Sequence, residues 1–280
     1  MTVKIKTAVD FYERHPISAQ FILSKLEAAR GSLDGLKPEE LYPHDQDHYG
    51  GLEANEALAT AAHLKSGMRV ADFCAGLGGP ARYFARKFGV TVTGIELTPP
   101  RVTGAQELTR RVGLEKSVRV VVGDVMAVPL PDASQDAVIS QEAFLHIPDL
   151  RRTFAEAHRI LMPGGRFAFT TWTAPQPLSA ADRQLMWDGM AVQPIFTQGQ
   201  TIDLLREVGF EAVTVDDVST WWAEILTERL AMYQKMRRET EAAATPSGHD
   251  AFYESYVRFV ALMQNGGLGG GRFVGVKAAL

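Results

Sequence analysis

The sequence predicts an α/β fold, a doubly wound and mostly parallel sheet of seven strands that is covered by helices. From about residue 68, short β-branched segments alternate with helix-sized amphipathic intervals, which is the pattern of a parallel sheet with helices on both faces. A glycine-rich turn follows the first of these segments, where such sheets bind ligands. A chain of 280 residues with 46% hydrophobic content can bury a core of this size.

Each strand and its following helix has a local signal. The predicted strands cover residues 68–73, 90–96, 117–123, 136–140, 166–172, 211–215 and 272–280. The helix after the first strand begins at Pro80, a residue that fits the first helical turn, and ends at Gly89. The helix before the fifth strand ends at the Pro-Gly-Gly sequence of residues 163–165.

The C-terminal part of the chain contains a long predicted helix over residues 220–243. Trp222, Leu226, Leu230 and Tyr233 fall on one stripe of this helix, so one face is expected to pack against another part of the molecule. That face could cover a pocket or support a homodimer, and periodicity alone does not separate the two.

Charge and cysteine content exclude several classes of partner. The formal net charge is −4, which argues against binding to nucleic acid. Cys74 is the single cysteine, and no apolar run reaches the ~18 residues of a membrane span. We therefore expect a cytoplasmic protein that acts on a small molecule, without a nucleic-acid or membrane partner.

The glycine-rich turn "DFCAGLGGPA" (72–81) is compatible with two cofactors. Gly76 and Gly78 allow a tight turn, but with Ala81 they also satisfy the fingerprint of a dinucleotide-binding loop. Asp72 ends the first strand, where a carboxylate would attract the ammonium of S-adenosylmethionine and repel a pyrophosphate. Glu96 ends the second strand and could accept hydrogen bonds from a ribose of either cofactor.

Residues after the third strand favour S-adenosylmethionine. Asp124 can accept a hydrogen bond from an adenine amino group, and Val125 can cover the ring. Tyr83 and Lys87 spell the Y-x-x-x-K pattern of some dehydrogenases, but they lie in the first crossover helix, where they cannot face a nicotinamide. We interpret them as helix packing, and a nicotinamide dehydrogenase is the last alternative.

Four segments together resemble the class I S-adenosylmethionine-dependent methyltransferases: "VADFCAGLGGPARYFARKFG", "GIEL", "GDVMAVPLPDASQDAVISQEAFLHIPD" and "ILMPGG". The resemblance implies a Rossmann-like methyltransferase fold with a helical lid and inserted substrate-capping helices. It divides the chain into an N-terminal helical segment with the active-site lid (1–50), a cofactor-binding core (51–172) and the remaining sheet with capping helices (173–280). The cofactor residues it implies are Asp72, Ala75, Gly76, Gly78, Glu96, Leu97, Gly123, Asp124, Val125, Gln141 and Tyr49.

A narrower resemblance concerns the segment after the fourth strand. "SQEAFLHIPDL", with "HYGGLEA" upstream, is similar to the N-methyltransferases of sarcosine and dimethylglycine and of phosphoethanolamine. This implies that Glu142 contacts the substrate amine and that His146 orients or deprotonates it. Glu142 replaces the usual Asp, and Trp172 stands where relatives commonly carry an acidic residue. Trp172 could form an aromatic wall or pack in the core, and both departures argue against a very small amino-acid substrate.

The polar segment "LYPHDQDHYGG" (41–51) raises the question of a metal. His44, Asp45, Asp47 and His48 could together ligate a cation. In the methyltransferase family that the sequence resembles, however, this segment folds over the cofactor. Tyr42, His48 and Tyr49 therefore become candidates to contact cofactor or substrate, and no metal is predicted. Trp187, Trp221 and Trp222 lie in segments expected to cover the site.

The primary hypothesis is a small-molecule methyltransferase that acts on an amine nitrogen. One alternative is an oxygen or carbon acceptor of a natural-product pathway. An alternative of another class is a subunit that binds S-adenosylmethionine without catalysis.

Overall fold

The computed structural model describes residues 7–13, 17–241 and 250–279. These residues form one seven-stranded sheet in the order β3-β2-β1-β4-β5-β7-β6, in which β7 runs antiparallel to both of its neighbours. The other pairings are parallel, so the predicted fold class is confirmed. The strands are β1 Arg69–Phe73, β2 Thr91–Glu96, β3 Val118–Val122, β4 Gln135–Gln141, β5 Leu161–Thr173, β6 Phe210–Asp217 and β7 Gly269–Lys277.

Helices cover both faces of the sheet and its carboxyl edge. They are α1 Ala8–Glu13, α2 Ala19–Arg30, α3 Pro38–Leu41, α4 Gly51–Ala61, α5 Gly79–Phe88, α6 Pro99–Arg111, α7 Leu150–Ile160, α8 Ala180–Met190, α9 Gln198–Glu207, α10 Ser219–Glu241 and α11 Asp250–Gln264. A 3₁₀ turn, Phe144–His146, follows β4. Within the described ranges, no helix combines the length and apolar character that crossing a bilayer would require.

The fifth and seventh strands begin earlier than predicted. Gln135 pairs with Leu161, and the register then shifts so that Ala137 pairs with Arg166. The predicted Pro-Gly-Gly stop is therefore a bulge inside β5 and not a boundary. β7 likewise begins within the glycine cluster, at Gly269. A Cβ at Gly270 would lie 2.3 Å from the Trp222 ring, so only glycine fits at this position. The glycine allows α10 to approach the sheet.

The apolar stripe of α10 packs inward, as predicted. Trp222 and Leu226 are fully buried in a cluster shared with α8, α11 and β7. Leu230 lies at the margin of this cluster, and Tyr233 is half exposed. The homodimer and the division of the chain into three parts stay predictions.

The Y-x-x-x-K pattern has a structural role in the fold. Tyr83 and Lys87 both hydrogen-bond the carboxylate of Glu56, which ties α5 to α4. The Tyr83 ring is buried in the core. This agrees with the interpretation of the pattern as helix packing.

Candidate active site

A cavity of about 230 Å³ opens at the carboxyl ends of β1, β2, β4 and β5. Because parallel strands place their carboxyl ends at one edge of the sheet, residues far apart in sequence meet there. The predicted site residues that line it are Tyr49, Asp72, Ala75, Gly76, Glu96, Leu97, Gln141, Glu142 and His146. The predicted residues that do not line it are Gly78, Gly123, Asp124 and Val125.

The glycine turn is held by the carboxylate at the end of β2. The Gly76 amide donates to Glu96 at 2.9 Å, and the Thr98 amide donates to the other oxygen of the same carboxylate at 2.8 Å. Gly76 has a φ of +56°, in the region that favours glycine. Each Glu96 oxygen keeps a second lone pair, so the carboxylate can still accept from ribose hydroxyls.

Two hydrogen-bond acceptors of the cavity lack a partner among the described residues. One is Asp72 Oδ2 at the end of β1, and the other is Gln141 Oε1 at the end of β4. Burial, with a smaller contribution from the charge of Glu96, raises the pKa of Asp72 to about 8. Gln141 Nε2 donates to Asn55 Oδ1 at 2.9 Å, which leaves its oxygen free. A buried pair of unpartnered acceptors fits the ammonium of S-adenosylmethionine.

Three of the predicted adenine-side residues serve the protein interior in this structure. Asp124 Oδ1 accepts from the Met126 amide at 2.8 Å, and Val125 is buried in the core. A Cβ at Gly123 would meet Ile95 at 3.0 Å. Leu97, by contrast, is exposed beside the cavity. That Asp124 and Val125 bind adenine stays a prediction.

The segment 41–50, here called the lid segment, is fastened to the core by its acidic residues. Asp45 and Arg82 of α5 form an ion pair at 2.8 Å in which both side chains are fully buried. Asp47 pairs with Arg101 of α6. The carboxylates considered as metal ligands therefore have arginine partners, and the described residues contain no cluster of ligands arranged around a metal.

The rest of the lid segment is divided between cavity and core. His48 lines the cavity and hydrogen-bonds Gln46 at 3.1 Å, and its backbone oxygen accepts from Arg229 of α10 at 3.0 Å. Tyr42 packs its ring against Tyr83, with centroids 5.3 Å apart, and lies outside the cavity. His44 also lies outside it.

Replacement of Asp45 by Ala is expected to lower the free energy of unfolding by about 3–5 kcal/mol, because it leaves the Arg82 charge buried without a counter-ion. Urea denaturation measures this. Glu39→Ala is the matched control, since Glu39 pairs with Arg86 on the surface and both side chains are at least half exposed. Its removal should cost less than about 1 kcal/mol. Equal losses in the two variants would contradict a structural role for the buried pair.

His146 is held as one neutral tautomer. Its Nδ1 lies 3.3 Å from the Ala191 carbonyl oxygen, which can only accept, so Nδ1 carries the proton. Its Nε2 lies 3.2 Å from the Tyr12 hydroxyl of α1 and is therefore the acceptor. Burial lowers the pKa of His146 to about 4. The side chain is thus neutral at pH 7, and its one lone pair, on Nε2, accepts from the Tyr12 hydroxyl.

Glu142 has an unusual backbone conformation. Its φ of +54° lies in the left-handed region, which costs a non-glycine residue about 1–2 kcal/mol. Its carboxylate accepts from the Tyr49 amide at 2.9 and 3.0 Å, and burial raises its pKa well above the ordinary value. Strain of this kind concentrates at functional sites.

The four tryptophans have different positions. Trp172 lines the cavity, whereas Trp222 packs under the Tyr49 ring at 5.3 Å. The Trp221 ring lies against Gly50. Trp187 lines a separate groove beside α8.

The cavity also contains residues that sequence reasoning missed. They are Phe11, Tyr12, Arg101, Arg229, Tyr233, Phe252 and Tyr256. Most of them lie on α1, α10 and α11, outside the strand ends. The sequence indicated only that the helix carrying Tyr233 packs one face against another part of the molecule.

Comparison with known proteins agrees with the fold. Residues 71–169 match the methyltransferase domain family. The chain is 29% identical over 218 residues to 24-methylenesterol C-methyltransferase 2 of Oryza sativa subsp. japonica, covering 71% of this chain and 60% of the relative. It is 30% identical over 206 residues to phosphoethanolamine N-methyltransferase 3 of Arabidopsis thaliana, covering 73% of this chain and 41% of the relative. The chain spans about half the length of such curated relatives.

A solved structure shows the same fold. Phosphoethanolamine N-methyltransferase 2 of Haemonchus contortus, in complex with phosphomonomethylethanolamine and S-adenosylhomocysteine, superposes with a TM-score of 0.77 at 21% identity, covering 98% of this chain and 61% of that one. This superposition shows the fold. The match of residues 71–169 to the methyltransferase domain family and the methyltransferases among the sequence relatives show that the chain belongs to the class I S-adenosylmethionine-dependent methyltransferases.

Proposed function

We propose that the chain binds S-adenosylmethionine and transfers its methyl group to an amine nitrogen of a small molecule. The observation that carries the proposal is the pairing, in one cavity, of two unpartnered acceptors that fit an ammonium with a neutral imidazole beside a buried carboxyl group. When bound, S-adenosylmethionine supplies an electrophilic methyl group on a sulfonium. The relatives methylate both carbon and nitrogen by name, so the site must decide the acceptor.

The residues on the cofactor side of the cavity bind S-adenosylmethionine and orient it. Asp72 and Gln141 accept from the ammonium, and Glu96 accepts from the ribose hydroxyls while it keeps the glycine turn closed. Leu97 offers an apolar surface for the adenine, and Asp124 accepts from its amino group. Tyr49 also lines the cavity, and its amide donates to Glu142 on the acceptor side.

On the acceptor side, His146 orients an amine that is already neutral. An ordinary alkylammonium has a pKa of about 10, so passing its proton to an imidazole with a pKa of about 4 is uphill by roughly 8 kcal/mol. Of the two roles that the resemblance implies, this favours orientation over deprotonation. Nε2 accepts from the Tyr12 hydroxyl, whose oxygen is left to accept an N–H of the acceptor. The nitrogen lone pair can then point at the methyl group, and such alignment supplies much of the rate.

Glu142 stabilises the positive charge that develops on the nitrogen during transfer. Its carboxyl group lies in the cavity away from bulk water, where an electrostatic interaction is stronger than at the surface. Burial favours the protonated form in the empty site, and a cationic ligand favours ionisation again. The ion pairs of the lid segment hold the chain closed over this region and exclude water.

A carbon acceptor is the second candidate. The aromatic rings of Phe11, Tyr49, Phe252 and Tyr256 line the cavity and could stabilise a carbocation by their π faces. The sterol C-methyltransferases among the relatives favour the same candidate.

The deciding experiment is transfer of labelled methyl from S-adenosylmethionine to separate pools of amines, phenols and alkenes, with product masses measured for each. Transfer to amines supports the proposal, and transfer only to alkenes or phenols overturns the nitrogen acceptor while keeping methyl transfer. Normal cofactor binding without transfer to any pool would favour the non-catalytic subunit.

Tyr12→Phe is expected to lower kcat by about tenfold and to change the Kd of S-adenosylhomocysteine by less than about twofold. The variant removes the hydroxyl that positions the His146 imidazole but keeps the ring that packs against it, with centroids 5.3 Å apart. Calorimetry and steady-state kinetics measure the two quantities. Tyr42→Phe is the control, because Tyr42 lies outside the cavity. A kcat equal to that of the wild type would contradict a positioning role for Tyr12.

A further inference from the structure

The buried polar atoms without a partner fall into two groups at the cavity. Among the described residues that line it, two acceptors lack partners, Asp72 Oδ2 and Gln141 Oε1, and so do two donors, Trp172 Nε1 and the Tyr256 hydroxyl. The acceptors fit the cofactor ammonium. The donors belong to side chains that are more than nine-tenths buried, and nothing in the proposed chemistry uses them. A buried donor without a partner requires an explanation, and a ligand oxygen provides one.

The two donors lie at the far end of an aromatic wall. Trp172 and Tyr256 line the cavity, and both contact Phe259, which is fully buried behind them, with ring centroids 3.8 and 6.0 Å away. The wall continues from Tyr256 through Phe252 at 5.8 Å to Phe11 at 6.1 Å. The Phe11 ring then lies 5.7 Å from His146. Flat apolar surface therefore connects the reacting end of the acceptor site with the unpartnered donors.

The charges of the cavity do not suit a phosphorylated acceptor. The two arginines that line it are Arg101 and Arg229. Arg101 is paired with Asp47, and Arg229 lies over the Tyr49 ring at 5.0 Å while donating to the lid segment. A phosphate dianion would meet the buried carboxyl groups of the same cavity with little free positive charge.

We propose that Trp172 and Tyr256 determine specificity by donating hydrogen bonds to an oxygen of an acceptor whose body is flat and apolar. The inference rests on the proposed function, since it takes the cavity as the acceptor site, and it names the class: an arylamine, monocyclic or polycyclic, with a carbonyl oxygen. Burial raises the pKa of the Tyr256 hydroxyl, so this hydroxyl stays protonated and can donate. Such amines are neutral at pH 7, as the low basicity of His146 requires.

The test measures binding to protein saturated with S-adenosylhomocysteine, by calorimetry, with four probes. They are 4-(methylamino)acetophenone, its 4-ethyl analogue without the carbonyl, 4-(methylamino)benzoate and phosphoethanolamine. The variants are Trp172→Phe and Tyr256→Phe, which keep a ring and remove a donor. Tyr233→Phe is the matched control, because Tyr233 also lines the cavity and its ring lies 5.2 Å from that of Tyr256, but its side chain is 36% exposed.

The wild type should bind the ketone about tenfold or more tightly than the ethyl analogue, since a site built to donate rejects a ligand without the oxygen. This ratio should fall towards one in Trp172→Phe and Tyr256→Phe and persist in Tyr233→Phe. The benzoate should bind less tightly than the ketone, because Arg229 already donates to the lid segment and the cavity has little free positive charge for a carboxylate. Tighter binding of the benzoate would overturn the assignment of a carbonyl oxygen.

A wild-type ratio near one, a ratio unchanged in both variants, or tighter binding of phosphoethanolamine than of the aryl probes would overturn the inference. Failure of the proposed function gives a different result. In that case the oxygen-dependent binding ratio is present, but no probe or pooled amine is methylated.

Discussion

Binding of S-adenosylhomocysteine at pH 7 is expected to release close to one proton, and Asp72→Asn is expected to abolish this release and weaken binding by about 10–100-fold. The pKa of Asp72 is raised to about 8, so the empty site holds mostly the protonated acid at pH 7. An ammonium pairs with the ionised form and lowers this pKa, which expels the proton. Affinity should therefore rise about tenfold per unit from pH 6 to pH 8 and then level off.

Calorimetry in phosphate and in Tris measures the proton count, because the two buffers differ in ionisation enthalpy. Asp124→Asn is the informative comparison. If Asp124 binds adenine as predicted, its replacement weakens binding and leaves the proton release unchanged. Absence of proton release in the wild type would show that Asp72 does not pair with the ammonium.

The part of the site at the strand ends could be predicted from sequence for a physical reason. In a parallel sheet the residue after each strand is brought to one edge by topology alone, so Asp72, Glu96 and Glu142 could be placed without knowing how helices pack. The glycine turn is also local, because its conformation depends on the residues within it. These predictions needed only the positions of the strands.

The walls of the cavity could not be predicted in this way. Tyr12 lies 134 residues from His146, and only the packing of α1 over the sheet brings the two together. Tyr256 and Phe252 depend likewise on how α11 packs against α8 and α10. The stripe on α10 indicated that the helix buries a face, but periodicity identifies the face and not its partner.

His146→Ala is expected to lower kcat by about 10²-fold, because the acceptor nitrogen loses its alignment with the methyl group, while the Kd of S-adenosylhomocysteine changes by less than about twofold. The imidazole lies on the acceptor side of the cavity, and none of its hydrogen bonds reaches the residues proposed to bind the cofactor. His146→Asn separates loss of the lone pair from loss of packing, because an amide can still donate to the Ala191 carbonyl oxygen.

His158→Ala is the control, since His158 packs against Phe210, with centroids 5.1 Å apart, away from the cavity. Its kinetics should match those of the wild type. The pH profile gives an independent test: with the pKa of His146 lowered to about 4, kcat should show no ionisation near the ordinary histidine value of about 6.5. Equal losses of turnover and cofactor affinity in both His146 variants would instead assign the residue a structural role. An ionisation near pH 6.5 that disappears in His146→Asn would mean that the imidazole is protonated during the reaction cycle and acts as a base.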